Sequence, residues 1–146
     1  IPMVISNLIK NQPIPVHAKK VGDKWISGSR YYLHARNQAD ALRHLISNKE
    51  KLLLNYLNDS SILEKFHVVG EKEVSNEEMV NLLAKFTGAP PKIEFTDFHS
   101  SRPGQDLRYA LDGEKLKNFG WIPPVPLEQS LQKTVNWYLN NKNWIV

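Results

Sequence analysis

The chain has 146 residues, enough to bury one hydrophobic core and too few for two full-sized domains. Hydrophobic residues make up 41% and charged residues 23%, with nine prolines and seven glycines, which excludes disordered, fibrous and low-complexity classes. With no cysteine there is no disulfide scaffold, thiol nucleophile or cysteine-ligated zinc, and a reducing cytoplasm is the expected compartment. No apolar run approaches the roughly 20 residues that span a bilayer, so no membrane insertion is expected. The sequence starts at Ile1 inside the apolar stretch Ile1 to Ile5, which predicts a piece of a longer chain.

Lysine and arginine number 19 against 15 aspartates and glutamates, a net charge of +4 that favours anionic partners. The layout narrows this. The cations of the first third (Lys10, Lys19, Lys20, Lys24, Arg30, Arg36, Arg43) are spread out, and the middle is acidic at Glu71, Glu73, Glu77 and Glu78. A duplex needs clustered phosphate contacts, whereas a small phosphorylated ligand needs two or three converging arginines. The prediction is a small anionic ligand and no nucleic acid.

In chain order, Met3, Val4, Asn7 and Leu8 at helical spacing predict a short helix over residues 2–10, halted at Asn11-Gln12-Pro13. Ile14 to His17 reads as extended, and Val21-Gly22-Asp23-Lys24 turns the chain. Strands are predicted at Trp25-Ile26 and Arg30 to Leu33. Asn37 is the predicted N-cap of a helix over 38–48 with Ala41, Leu42, Leu45 and Ile46 on its apolar face. Another helical turn or two follows over 51–57, then a strand over Phe66 to Val69 ending at Gly70.

Ser75-Asn76-Glu77-Glu78 is a capping box opening a helix that carries Met79, Val80, Leu82, Leu83 and Phe86 inward and closes at Gly88. Lys92 to Phe98 alternates as a strand, and residues 100–106 read as a constrained, charged loop. Asp112 caps a short helix through Lys117, closed by Gly120, and a last helix runs over 127–139 with Leu127, Leu131, Val135, Tyr138 and Leu139 inward. One small mixed α/β unit over residues 1–146 is the predicted organisation.

The chemistry-bearing motifs are few. Neither GxGxxG nor GxxxxGK[ST] occurs, so no dinucleotide or P-loop site is expected in this chain. His17, His34, His44, His67 and His99 lack HExxH or similar spacing, and no metal is expected. No GxSxG elbow supports a hydrolase. The richest stretch is Arg102 to Asp112, RPGQDLRYALD, where a guanidinium beside a Pro-Gly bend matches a diphosphate bidentately. Surface ion pairing is the competing explanation. Arg30, in Ser29-Arg30-Tyr31-Tyr32-Leu33, is a second candidate for the same anion, with an ordinary strand-edge arginine as its alternative.

RPGQDLRYALD resembles the RPGHDxRYAID stretch near the C-terminus of nucleotide-sugar 4,6-dehydratases, extended short-chain dehydrogenases of the dTDP-glucose 4,6-dehydratase type. Residues 115–123, KLKNFGWIP, are similar to that family's K-x-x-x-LGW-x-P, and residues 127–138, LEQSLQKTVNWY, to its FEEGLRKTVEWY ending. Further upstream, IPMVISNLIKNQPIPVH resembles IPLMIxNALxGKPLPVY, and SRYYLHARNQADAL resembles IRDWLYVEDHAxAL.

The resemblance implies the C-terminal, substrate-binding part of an extended Rossmann-type enzyme, lacking most of the Rossmann sheet. It implies NAD in the full-length enzyme and none for this chain alone, because the glycine fingerprint, the YxxxK pair and the acid–base carboxylates of the family lie in an N-terminal half. No catalytic residue is therefore expected here. The implied ligand is a uridine or thymidine diphosphate sugar, and the family commonly dimerises through its N-terminal half.

By position, Arg30 matches the family arginine of RDW and Arg102 that of RPG, both diphosphate contacts. His17 stands at the tyrosine packed on the nucleobase, His67 at the asparagine of YNIGG, and Gln105 at the histidine of RPGHD; Tyr109 of the RYALD stretch completes the implied substrate-binding set. Tyr31 replaces the aspartate of RDW. These departures leave open a dehydratase, an epimerase or decarboxylase of the same superfamily, or a non-catalytic module that keeps the fold.

Overall fold

A computed structural model describes residues 1–58, 64–98 and 106–145. The element α1 (Pro2–Ile9) starts on a proline, whose fixed φ and missing N–H suit a first helical turn, and buries Ile5 and Leu8. Asn11 reverses the chain with a φ of 53°, and the Asn7 side-chain amide donates to the Pro13 carbonyl at 2.6 Å.

The first sheet has β1 (Ile14–Val21) at its centre, with β2 (Lys24–Ser27) antiparallel on one side. On its other side lies β5 (Ile93–Asp97), parallel to it. Gly22 supplies the left-handed residue of the β1–β2 turn, at φ +59°. Alternation along β1 buries Ile14, Val16 and Ala18 on one face. The second sheet has β3 (Ser29–Tyr31) at its centre, between β4 (Glu73–Ser75), antiparallel to it, and β6 (Arg108–Tyr109), parallel to it. The fold is thus a small mixed α/β unit, as the sequence predicts.

Several expectations need correction. Leu42 and Ile46, expected on the apolar face of the helix over 38–48, are 50% and 69% exposed. The helix α2 (Ala35–Ser47) is capped by His34, whose Nδ1 accepts from the Arg36 amide at 3.0 Å, and not by Asn37. Asn37 is 4% exposed and points inward, its side-chain amide donating to the Val125 carbonyl at 2.8 Å. The stretch Phe66 to Val69 is no strand. Both edges of β3 are already paired, by β4 and β6, so this stretch has no edge there to join.

The helix α3 (Lys49–Asn58) follows α2 directly. Next comes α4 (Asn76–Thr87), where Ser75 Oγ accepts from the Glu78 amide at 3.0 Å, while the Glu78 carboxylate turns to Lys72 at 3.8 Å in place of closing the box. The helix ends at Gly88 with a φ of 72°. Asp112 accepts from the Glu114 amide at 2.8 Å and so opens α5 (Glu114–Asn118). The last helix, α6 (Leu127–Asn140), receives its first-turn acceptor from a distant residue, Glu71, whose Oε2 bonds the Leu127 amide at 2.8 Å.

Two cores result. The larger joins Ile5, Leu8, Ile14, Val16 and Val74 to Met79, Val80, Leu83 of α4 and Leu127, Leu131, Val135 of α6. The smaller holds Ala41, Leu116 and Trp121, with Leu33, Leu45, Phe66 and Val68 against them. Among the described residues no helix is long and apolar enough to cross a membrane.

Candidate functional site

The second sheet organises the polar chemistry. Because side chains alternate along a strand, Ser29 and Tyr31 of β3 share one face with Glu73 and Arg108, and Arg30 shares the other with Val74 and Tyr109. The two faces carry their arginines in opposite states.

On the first face, Arg108 Nε and Nη2 each donate to the Glu73 carboxylate at 2.8 Å, and the Ser29 hydroxyl adds a third hydrogen bond to Glu73 Oε1. These donors, Arg108 first and Ser29 second, hold the Glu73 carboxyl down at about 2, and the Glu73 carboxylate raises Arg108 in turn. Arg108 is committed to this clasp.

On the second face, Arg30 has no acidic partner among the described residues. Its guanidinium lies 4.9 Å from the centroid of the Tyr109 ring, and both side chains are exposed, Tyr109 at 46%. A guanidinium held over a ring face in this way makes a cation–π contact that does not consume its N–H donors, which stay available to an anion.

A cleft of about 870 Å³ opens beside the first face, with Tyr31, His67, Arg108, Asp112, Lys117 and Trp121 among its walls. His67 is exposed, and its Nδ1 lies 3.2 Å from the Asp112 carbonyl oxygen. Arg30 and Tyr109 do not line this cleft. His17 lies on β1 of the other sheet, opposite Thr96 of β5. Arg102 and Gln105 lie outside the described residues. The structure therefore brings together Arg30 with Tyr109, keeps His67 in the neighbouring cleft, and sets His17 apart on the first sheet.

Glu73 and Arg108 were not among the residues singled out in the sequence. Arg108 lies inside RYALD, and Glu73 precedes the buried Val74 in a three-residue strand, so only the strand register brings them together. No group of three or more His, Asp or Glu that could hold a metal ion occurs among the described residues.

Of the three helices that follow strands of the second sheet, α4 and α5 carry Glu77, Glu78 and Glu114 in their first turns, where carboxylates disfavour a pyrophosphate, whereas α2 opens at His34 with no carboxylate in its first turn.

No family model matches the chain. Among curated proteins it is 29% identical over 154 residues to the dTDP-glucose 4,6-dehydratase of Neisseria meningitidis serogroup B, and 30% identical over 154 residues to that of Escherichia coli. Each alignment takes in 99% of this chain, but only 39% and 38% of the respective relative. Among solved structures, the dTDP-glucose 4,6-dehydratase of Bacillus anthracis in complex with NAD superposes with a TM-score of 0.70 at 29% identity, over 98% of this chain and 39% of that one. A UDP-glucose 4-epimerase of Bifidobacterium longum in complex with NAD+ and UDP shares the fold, with a TM-score of 0.72 at 18% identity over 98% of this chain and 40% of that one. The chain is homologous to the dTDP-glucose 4,6-dehydratases, spans less than two-fifths of their length, and corresponds to their C-terminal part.

Proposed function

We propose that this chain is the nucleotide-sugar-binding portion of an NAD-dependent nucleoside-diphosphate-glucose 4,6-dehydratase, which forms a 4-keto-6-deoxy sugar. Arg30 and Arg102 contact the diphosphate, His17 packs on a uracil or thymine base, His67 and Gln105 belong to the same substrate-binding set, and Tyr109 lies beside Arg30. The observation that carries this reading is the state of Arg30: an exposed guanidinium stacked on a ring, with no acidic partner among the described residues. A cation with no acidic partner among the described residues, while its neighbour Arg108 is neutralised, fits an anion that arrives from solution.

NAD supplies hydride chemistry when bound to the rest of the enzyme, and this chain contributes binding and orientation of the sugar nucleotide and no catalytic group. Homodimerisation through the N-terminal part and a cytoplasmic setting belong to the same reading.

Calorimetry on the full natural protein tests it. We expect saturable binding of UDP-glucose or dTDP-glucose, weakened about tenfold or more by Arg30→Ala and by Arg102→Ala, the scale of a hydrogen bond to a charged group. Absence of binding by both ligands, or unchanged affinity in both variants, overturns the reading.

A further inference from the structure

Arg30 is a long side chain on an exposed sheet face, and an unrestrained guanidinium there samples many rotamers. Its cross-strand neighbour removes that freedom. Tyr109 sits directly opposite Arg30 in the parallel β3–β6 register, and the guanidinium carbon is 4.9 Å from its ring centroid. Such a cation–π contact restricts where the guanidinium sits without using its N–H donors.

The ring itself is held by the opposite face of the sheet. Strand β6 is only two residues long, too short to keep its register unaided. Its first residue, Arg108, is clasped bidentately by Glu73 of β4, and the Ser29 amide of β3 donates to the Leu107 carbonyl at 2.9 Å. Both outer strands are thereby tied across β3, and Tyr109 is held in register opposite Arg30.

We propose that Tyr109 is a positioning residue, whose ring pre-orients the Arg30 guanidinium so that two N–H donors meet a phosphoryl group together. This rests on the reading of Arg30 as a diphosphate ligand. It assigns Tyr109 an action through Arg30, with no contact of its own to the ligand.

A double-mutant cycle on the full natural protein tests it, with UDP and dTDP as probes and uridine and thymidine as their phosphate-free controls. Tyr109→Leu is expected to weaken the tighter-binding diphosphate about three- to fivefold, the scale of an exposed cation–π contact. Tyr109→Phe keeps the ring and should stay within twofold of the natural protein. Affinity for the nucleosides should not change in either variant. In an Arg30→Ala background, Tyr109→Leu should have no further effect on the diphosphate.

An equal loss in the Arg30→Ala background makes Tyr109 a direct ligand and overturns the proposal, as does a loss for the nucleosides. A Tyr109→Phe loss as large as that of Tyr109→Leu excludes the ring face as the cause. If Arg30→Ala weakens binding and Tyr109→Leu does not, the positioning role fails while the diphosphate reading stands. If Arg30→Ala has no effect, the diphosphate reading fails, and the proposal with it.

Discussion

Glu73 and Arg108 meet across the central strand of the second sheet through two parallel hydrogen bonds of 2.8 Å, joining β4 to β6 over Ser29. With Arg108 as the first cause and Ser29 as the second, the Glu73 carboxyl is lowered from its ordinary 4.5 to about 2. A carboxyl depressed on folding adds stability above its unfolded pKa and gives it up as pH falls through its folded one. The window is therefore pH 4.5 down to about 2. The urea midpoint of the natural chain is expected to fall through this window, and that of Glu73→Gln to fall less. Asp40 is also lowered, by Arg43 first and Trp121 second, so a residual slope persists in the variant. Superimposable profiles for the two proteins would show that the clasp has no part in acid stability.

Gly70 lies where the extended stretch 66–70 passes the end of β3. A Cβ built there falls 2.9 Å from the Tyr32 carbonyl carbon and closer still to its oxygen, both backbone atoms that cannot swing aside. Gly70→Ala should therefore destabilise by about 2 kcal/mol or more, through overpacking against main chain. Thermal melts of the two proteins check this, and a loss below about half that value would mean that the stretch moves to make room.

Much of the helical framework was legible because its signals are local. Ser75 and Gly88 bracket α4 as a cap and a left-handed stop, and Leu127, Leu131, Val135, Tyr138 and Leu139 mark the inward face of α6. The second sheet was not legible in this way. Strands of three and two residues fall below the length at which alternation carries a signal, and Glu73 and Arg108 are 35 positions apart. Asn37 misled for a related reason: it has the chemistry of a cap, but its amide is taken by the carbonyl of Val125, 88 residues away. Arg30 stood out in the sequence, whereas its stack on Tyr109 depends on a register that no local pattern encodes.

The Ser75 cap is half of the predicted box, which sets a quantitative expectation. Its hydroxyl serves the Glu78 amide, and the Glu78 carboxylate is engaged with Lys72. Ser75→Ala should cost about 1 kcal/mol, as loss of a helix cap does, and Glu78→Gln, at an exposed pair, less than about half of that. Denaturant titrations of the two variants distinguish them, and the reverse order would point to a closed box.

The two hydrophobic clusters share no residue, which makes their energetics separable. Leu83 of α4 is fully buried in the larger cluster, and Leu116 of α5 is 1% exposed in the smaller. Truncation of either leaves a cavity lined by rigid neighbours, so Leu83→Ala and Leu116→Ala should each cost about 2–5 kcal/mol. Without shared partners, the double variant should lose the sum to within about 0.5 kcal/mol. Urea titrations of both single variants and of the double variant measure the difference. A departure larger than that would show that the two clusters are coupled through the structure between them.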